Sequence, residues 1–83
     1  SEVTLPEDYE QRLRAHPAAA AFWDAATPSY RRVATSWVLD GKQEATREKR
    51  LAQLVDDSAN GRLVAPQSYG TTPKWVERAA QAA

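Results

Sequence analysis

The sequence predicts an all-α fold: one compact domain of four to five short helices, the last of them a C-terminal docking helix. Three observations carry this reading. Apolar residues recur at i, i+3, i+4 and i+7 in successive windows. Proline pairs such as Thr27-Pro28 and Thr72-Pro73 mark repeated helix starts. No window shows the apolar–polar alternation of a strand.

Taken in order, Thr4-Leu5-Pro6-Glu7 fits a capping box, with Thr4 as N-cap and Glu7 reaching back to its amide. Tyr9 and Leu13 then fall four apart on one face. His16-Pro17 interrupts, because proline disfavours helical geometry in the residue before it and can open a new helix. In "PAAAAFWDAA", Ala19, Phe22, Trp23 and Ala26 follow the helical template. After Thr27-Pro28, the residues Tyr30, Val33, Ala34, Trp37 and Val38 form a stripe, with Arg31, Arg32, Thr35 and Ser36 off it. Gly41 is placed to end this helix in the left-handed conformation, and Asp40 with Gln43 can cap the next. That helix turns Leu51, Leu54, Val55, Ser58 and the Arg47 stem inward, and Asn60-Gly61 stops it. Residues 62–73 form a linker broken by Pro66, Ser68, Gly70 and Pro73, with Leu63, Val64 and Tyr69 available to pack. The last helix, "KWVERAAQAA", sets Trp75, Val76, Ala79 and Ala80 on one side. Ten residues are marginal alone in water, so this helix must dock.

Composition narrows the chemistry. Eighty-three residues make one small domain, burying a little over roughly 60% of its unfolded surface. The absence of cysteine removes disulfides, thiol nucleophiles and thiolate metal sites. One histidine, His16, excludes a multi-histidine metal centre within one chain. The net charge of zero is unevenly spread. Residues 1–30 set Arg12 and Arg14 against Glu2, Glu7, Asp8, Glu10 and Asp24. Residues 31–50 set Arg31, Arg32, Lys42, Arg47, Lys49 and Arg50 against Asp40, Glu44 and Glu48. A dedicated nucleic-acid domain carries a clearer basic excess. No apolar run approaches the roughly 20 residues that span a bilayer. The acidic amino terminus lacks a signal peptide's basic-then-apolar order, so a cytoplasmic location is expected for the chain as it stands.

Few residues invite catalysis. His16 has no nearby serine nucleophile or second histidine. Glu7-Asp8 and Asp56-Asp57 are adjacent acids about 100° apart on a helix, which makes them solvated faces and not proton-sharing pairs. Glycines at 41, 61 and 70 cannot build a phosphate loop. Trp23 and Trp37 lie on apolar stripes and read as core; Trp75 belongs to the docking helix. The basic residues of 31–50 admit two readings. One is a salt-bridged surface, in which Glu44, three before Arg47, takes up part of the charge. The other is an anion site built from arginine forks.

"LPEDYEQRLRAHPAAAAFWDAATPSYRRVATSWVLDGKQEATREKRLAQLVDDSANGR" resembles the YdeI/OmpD-associated family, also called bacteriocin-protection proteins. Pro6, Pro17, Ala20, Phe22, Pro28, Ser29, Arg31, Arg32, Trp37, Lys42, Thr46, Arg47, Arg50, Leu51 and Gly61 match its pattern in order. Thr46, Arg47 and Arg50, preceded by Trp37 and Lys42, are the most specific part. The chain departs from that pattern at Gly41, where alanine is usual, and at Ala45, where glutamate is. The match covers roughly residues 5–62, which makes 1–62 the family-like helical domain; residues 63–83 lie outside it and read, from their own pattern, as linker and helix packed on the same domain. The resemblance implies a non-enzymatic interaction domain without a cofactor, connected with envelope stress, cationic-peptide resistance or bacteriocin tolerance. It makes Trp37, Lys42, Thr46, Arg47 and Arg50 the positions to watch; read with the basic residues nearby, Arg31, Arg32, Lys42, Thr46, Arg47 and Arg50 are the candidate surface for an anionic or protein partner. A small nucleic-acid-binding domain using the basic 31–50 segment is the alternative. An enzyme built on Glu44 and Arg47 would lack a nucleophile or metal set.

Overall fold

Leu5 stands before Pro6, and that decides where the first helix begins. Helical geometry is disfavoured in a residue preceding proline, so Leu5 cannot serve as the first turn that a Thr4 cap requires. The computed structural model describes residues 3–67, 70 and 72–82. In it Pro6 is the extended N-cap, with no side-chain cap, and helix α1 runs Glu7–Arg14. The expected capping box is not formed. Leu5 is instead buried, anchoring the incoming chain on Tyr9 and the rest of the core.

Helix α2 spans Pro17–Ala25 behind an extended His16. Helix α3 spans Pro28–Leu39, and the Thr27 hydroxyl accepts from the Tyr30 amide at 3.2 Å as the sequence predicts. Helix α4 runs Glu44–Ala59. A single 3-10 turn, Ala65–Gln67, precedes helix α5, Lys74–Ala82. The expected packing of Tyr69 lies outside the described residues.

Helix α2 is the hub, packing on α1, α4 and α5, while α3 lies on α4. Leu13, Phe22, Val38, Leu51, Leu54 and Val64 are wholly enclosed. Helix α5 docks through Trp75, whose ring centroid stands 6.0 Å from that of Phe22 and 5.2 Å from that of Tyr30. Val76 and Ala79 are buried beside it, whereas Ala80 is exposed. The stripe of α3 is also turned from the expected one: Thr35 is buried at 1% and Val33 is 39% exposed. Tyr30, Ala34 and Val38 fix the line, and either flank could have gone inward. Packing, which periodicity does not encode, selected the smaller Thr35.

Gly61 closes α4 with φ of 69°, a left-handed C-terminal position that glycine takes without strain. A Cβ there would lie 2.7 Å from the Ala80 Cβ of α5. Gly61→Ala therefore combines backbone strain of about 1–2 kcal/mol with displacement of α5. Its melting point should fall by about 5–15 °C; an unchanged midpoint would show that this close approach constrains nothing. Ser58, fully buried on α4, has no hydrogen-bond partner for its Oγ among the described residues. Replacing it with alanine removes an uncompensated polar group and should hold or raise stability, by up to about 1 kcal/mol in a denaturant titration.

Candidate functional site

Gly41 is the centre of the corner between α3 and α4, for a different reason from the one its sequence position suggests. Among the described residues only Gly61 and Gly70 have positive φ, so Gly41 does not end α3 in the left-handed region. Asp40 forms the C-cap in right-handed geometry, its amide donating to the Ser36 carbonyl at 2.9 Å. Gly41 is buried, and a Cβ on it would come within 2.9 Å of Thr46 Cγ2 and 3.1 Å of the Arg47 amide nitrogen. Glycine lets the start of α4 close against the end of α3. The expected cap from Asp40 with Gln43 is absent: Gln43 is itself the N-cap and makes no side-chain cap bond.

Arginines complete this corner. A helix leaves its last carbonyls without intrahelical partners, and here guanidinium groups serve some of them. Arg50 Nη1 donates to the Trp37 carbonyl at 2.7 Å, and its guanidinium carbon stands 5.4 Å from the Trp37 ring centroid. Arg47 Nη1 donates to the Gly41 carbonyl at 2.7 Å. Arg31 does the same work at the other corner, where its Nη1 donates to the carbonyls of Trp23, at 3.3 Å, and Ala26. Cations are favourable at helix C-termini because the exposed carbonyls carry the negative end of the dipole.

The predicted site residues thus do not form one patch. Thr46, Arg47 and Arg50 gather at the α3–α4 corner, with exposed Lys42 beside them. Arg31 lies at the α2–α3 corner, nine residues back along α3, which is roughly 14 Å of helix. Arg32 is exposed on α3 and Lys49 on α4. A nucleic-acid surface made of Arg31, Arg32, Lys42, Arg47, Lys49 and Arg50 would need all six to face phosphate, yet three of them donate to main-chain carbonyls.

The salt bridges run elsewhere than the sequence suggests. Glu44 has no ion pair with Arg47 among the described residues; the acid of α4 that reaches another helix is Glu48, 2.8 Å from Arg12 of α1. That hydrogen bond holds the Glu48 carboxyl below its usual range. Arg14 binds both Glu10, at 2.7 Å, and Asp24, at 2.8 Å, and its hydrogen bond keeps the Asp24 carboxyl low. All these groups are at the surface, where such pairs contribute little to stability. Asp57, read from the sequence as part of a solvated pair, is buried, with Oδ1 at 3.2 Å from Arg62 Nη2. Asp56 alone remains exposed.

Sequence reasoning also missed the contact between Tyr30 and Val64. The Val64 amide donates to the Tyr30 hydroxyl at 2.9 Å in a buried setting, tying the linker to α3. Burial pushes that hydroxyl up to about 12. No local signal marks a pair 34 residues apart. A cleft of about 380 Å³ lies near the end of α4, with Gln53, Asp57, Arg62 and Thr72 among its lining. His16 is exposed at the edge of another cleft, with Arg12 and Asp56. Among the described residues no three His, Asp or Glu side chains are placed to hold a metal ion, and no helix is long and apolar enough to cross a membrane.

The fold and its corners define a small all-α domain whose α2–α3 and α3–α4 corners are braced by arginine. The chain belongs to the bacteriocin-protection, YdeI or OmpD-associated family, whose model matches residues 2–61. That segment takes in α1 to α4 and stops at Gly61, before the 3-10 turn and α5. No curated protein and no solved structure matches the chain.

Proposed function

We propose that this domain is a non-catalytic interaction module that receives an acidic segment of a partner protein at the α3–α4 corner. The observation that supports it is exposed Lys42, one residue before the N-cap of a helix whose start has no side-chain cap. The ammonium group and the positive end of α4 act in the same direction there. Arg47 and Arg50 hold the corner in shape and belong to the site as supports. The role such a contact serves in this reading is bacteriocin protection, in keeping with the family's description.

The test is an NMR titration of the labelled chain with a hexaglutamate peptide at low salt. Amides of residues 42–46 should shift, and Lys42→Glu should abolish the shifts without changing the melting point by more than about 0.5 kcal/mol equivalent. Unchanged spectra in the parent chain would overturn the reading. A parallel titration with duplex DNA covers the alternative. Binding whose log–log salt slope is roughly −0.9 per phosphate neutralised, carried by Arg32, Lys42 and Lys49, would favour nucleic acid instead.

A further inference from the structure

The Asn60-Gly61 pair that stops α4 carries a chemistry of its own. An asparagine side-chain amide is a weak electrophile, and a glycine directly after it supplies the least hindered backbone nucleophile, because no Cβ screens its nitrogen. The Gly61 nitrogen bonds to Asn60 Cγ and loses its proton, while the side-chain nitrogen leaves as ammonia. Water then opens the cyclic imide at either carbonyl, which leaves an aspartyl or an isoaspartyl residue at position 60. Water is the one co-reactant, and Asn60 is exposed to it.

The end of α4 opposes the first of these steps. It is a full Schellman motif, in which the Gly61 amide donates to the Ser58 carbonyl at 3.1 Å and the Arg62 amide to the Asp57 carbonyl at 2.8 Å. The attacking nitrogen is therefore engaged. The electrophile is engaged too, since Asn60 Nδ2 donates back along the helix to the Asp56 carbonyl at 2.8 Å. Ring closure needs the Gly61 nitrogen to swing over Asn60 Cβ, and at a ψ of 10° for Asn60 it is turned away. Arg62 clasps the turn from outside, with Nη2 at 3.3 Å from Asp56 and 3.2 Å from Asp57.

We propose that Asn60 is a self-modification site latched by the C-terminal turn of α4, and that it deamidates through local opening of that turn. Helix ends open more readily than the core they lead from. The product no longer fits the closed turn. Its new carboxylate falls at the negative end of α4, beside Asp56 and Asp57, where an anion is unfavourable. An isoaspartyl link also adds a methylene to the main chain next to Gly61, where even a Cβ would stand 2.7 Å from the Ala80 Cβ. The turn thus converts slowly, and in one direction, from a tight cap to a loosened one. The Lys42 corner lies at the opposite end of α4, and the proposal does not depend on it.

The experiment compares the full-length chain with the peptide of residues 51–62, "LAQLVDDSANGR", under the same mildly alkaline conditions. Mass spectrometry follows the exchange of amide for acid, and fragmentation separates the aspartyl from the isoaspartyl product. The folded chain should convert at least tenfold more slowly than the peptide, yet still convert within a hundred peptide lifetimes. Arg62→Ala, measured against its own peptide, should convert at least threefold faster than the parent chain. The modified chain, separated by its added negative charge, should melt below the parent. A chain as fast as its peptide, a chain unconverted after a hundred lifetimes, an Arg62→Ala chain no faster than the parent, or a modified chain with the parent's midpoint would each overturn the proposal. Should Arg62→Ala lose its helical circular dichroism, the parent in urea below its unfolding transition is read the same way.

Discussion

Arg50→Ala is expected to cost about 2–3 kcal/mol, lowering the melting point by about 10–20 °C. The truncation leaves the Trp37 carbonyl, at the end of α3, without its 2.7 Å donor. It also removes the guanidinium over the Trp37 ring, worth about 0.5–1 kcal/mol in a partly exposed setting. Helix propensity does not obscure the result, since alanine is at least as good a helix former as arginine. Arg47→Ala removes one donor from Gly41 and no aromatic stacking, so its effect should be smaller. Arg32→Ala, on an exposed residue, should stay within about 0.5 kcal/mol. Thermal melts of the three variants beside the parent establish the order Arg50, Arg47, Arg32. Three equal midpoints would mean that the carbonyl contacts carry no weight.

Tyr30→Phe has a comparable expected effect and a pH signature. The variant keeps the ring that faces Trp23 and Trp75. It loses the hydroxyl that accepts from Val64, leaving a buried N–H unpaired at about 1–3 kcal/mol. In the parent, burial raises the hydroxyl from its ordinary value near 10 to about 12. The unfolded chain therefore gives up this proton near pH 10 while the folded chain retains it. Stability from Tyr30 is complete below pH 10 and is lost as pH rises toward 12, by roughly 1.4 kcal/mol per unit. The phenylalanine variant has no such loss. The gap between the two denaturation curves should be widest at pH 8–9 and close, or reverse, by pH 12. Lysines titrate in both chains and cancel from the difference. A gap that does not change with pH would show that the hydroxyl ionises as easily folded as unfolded.

What could be read in the sequence was what neighbours in the chain decide. Thr27-Pro28 worked as a helix start because the cap and its acceptor are three residues apart. The inward faces of α1 and α2, and Leu51, Leu54 and Ser58 of α4, followed from spacing alone, whereas the burial of Asp57 did not. The Thr4 box failed on an equally local ground, the proline after Leu5, which outweighs a favourable cap motif. Gly41 and Thr35 needed knowledge of what lies opposite. One glycine is demanded by a side chain five residues on, and one threonine is buried because of what packs on α3. The candidate site was the least legible part. Arg31, Arg47 and Arg50, expected at a binding surface, donate to main-chain carbonyls; Arg50 and its Trp37 acceptor are 13 residues apart, and a charge in a sequence does not say whether it meets solvent, an acid or a carbonyl.

The arginine corners also bear on how the chain can drift. A guanidinium reaching two elements with a flat, multiply donating head has no equivalent in lysine, whereas Lys42 and Lys49 stand in solvent with nothing fixed around them. Of six positive charges in residues 31–50, three can become glutamine, serine or the other base at small cost to the fold, and three cannot. A descendant of this chain could therefore lose half of that charge and alter its pI while its helices still met at the same angles.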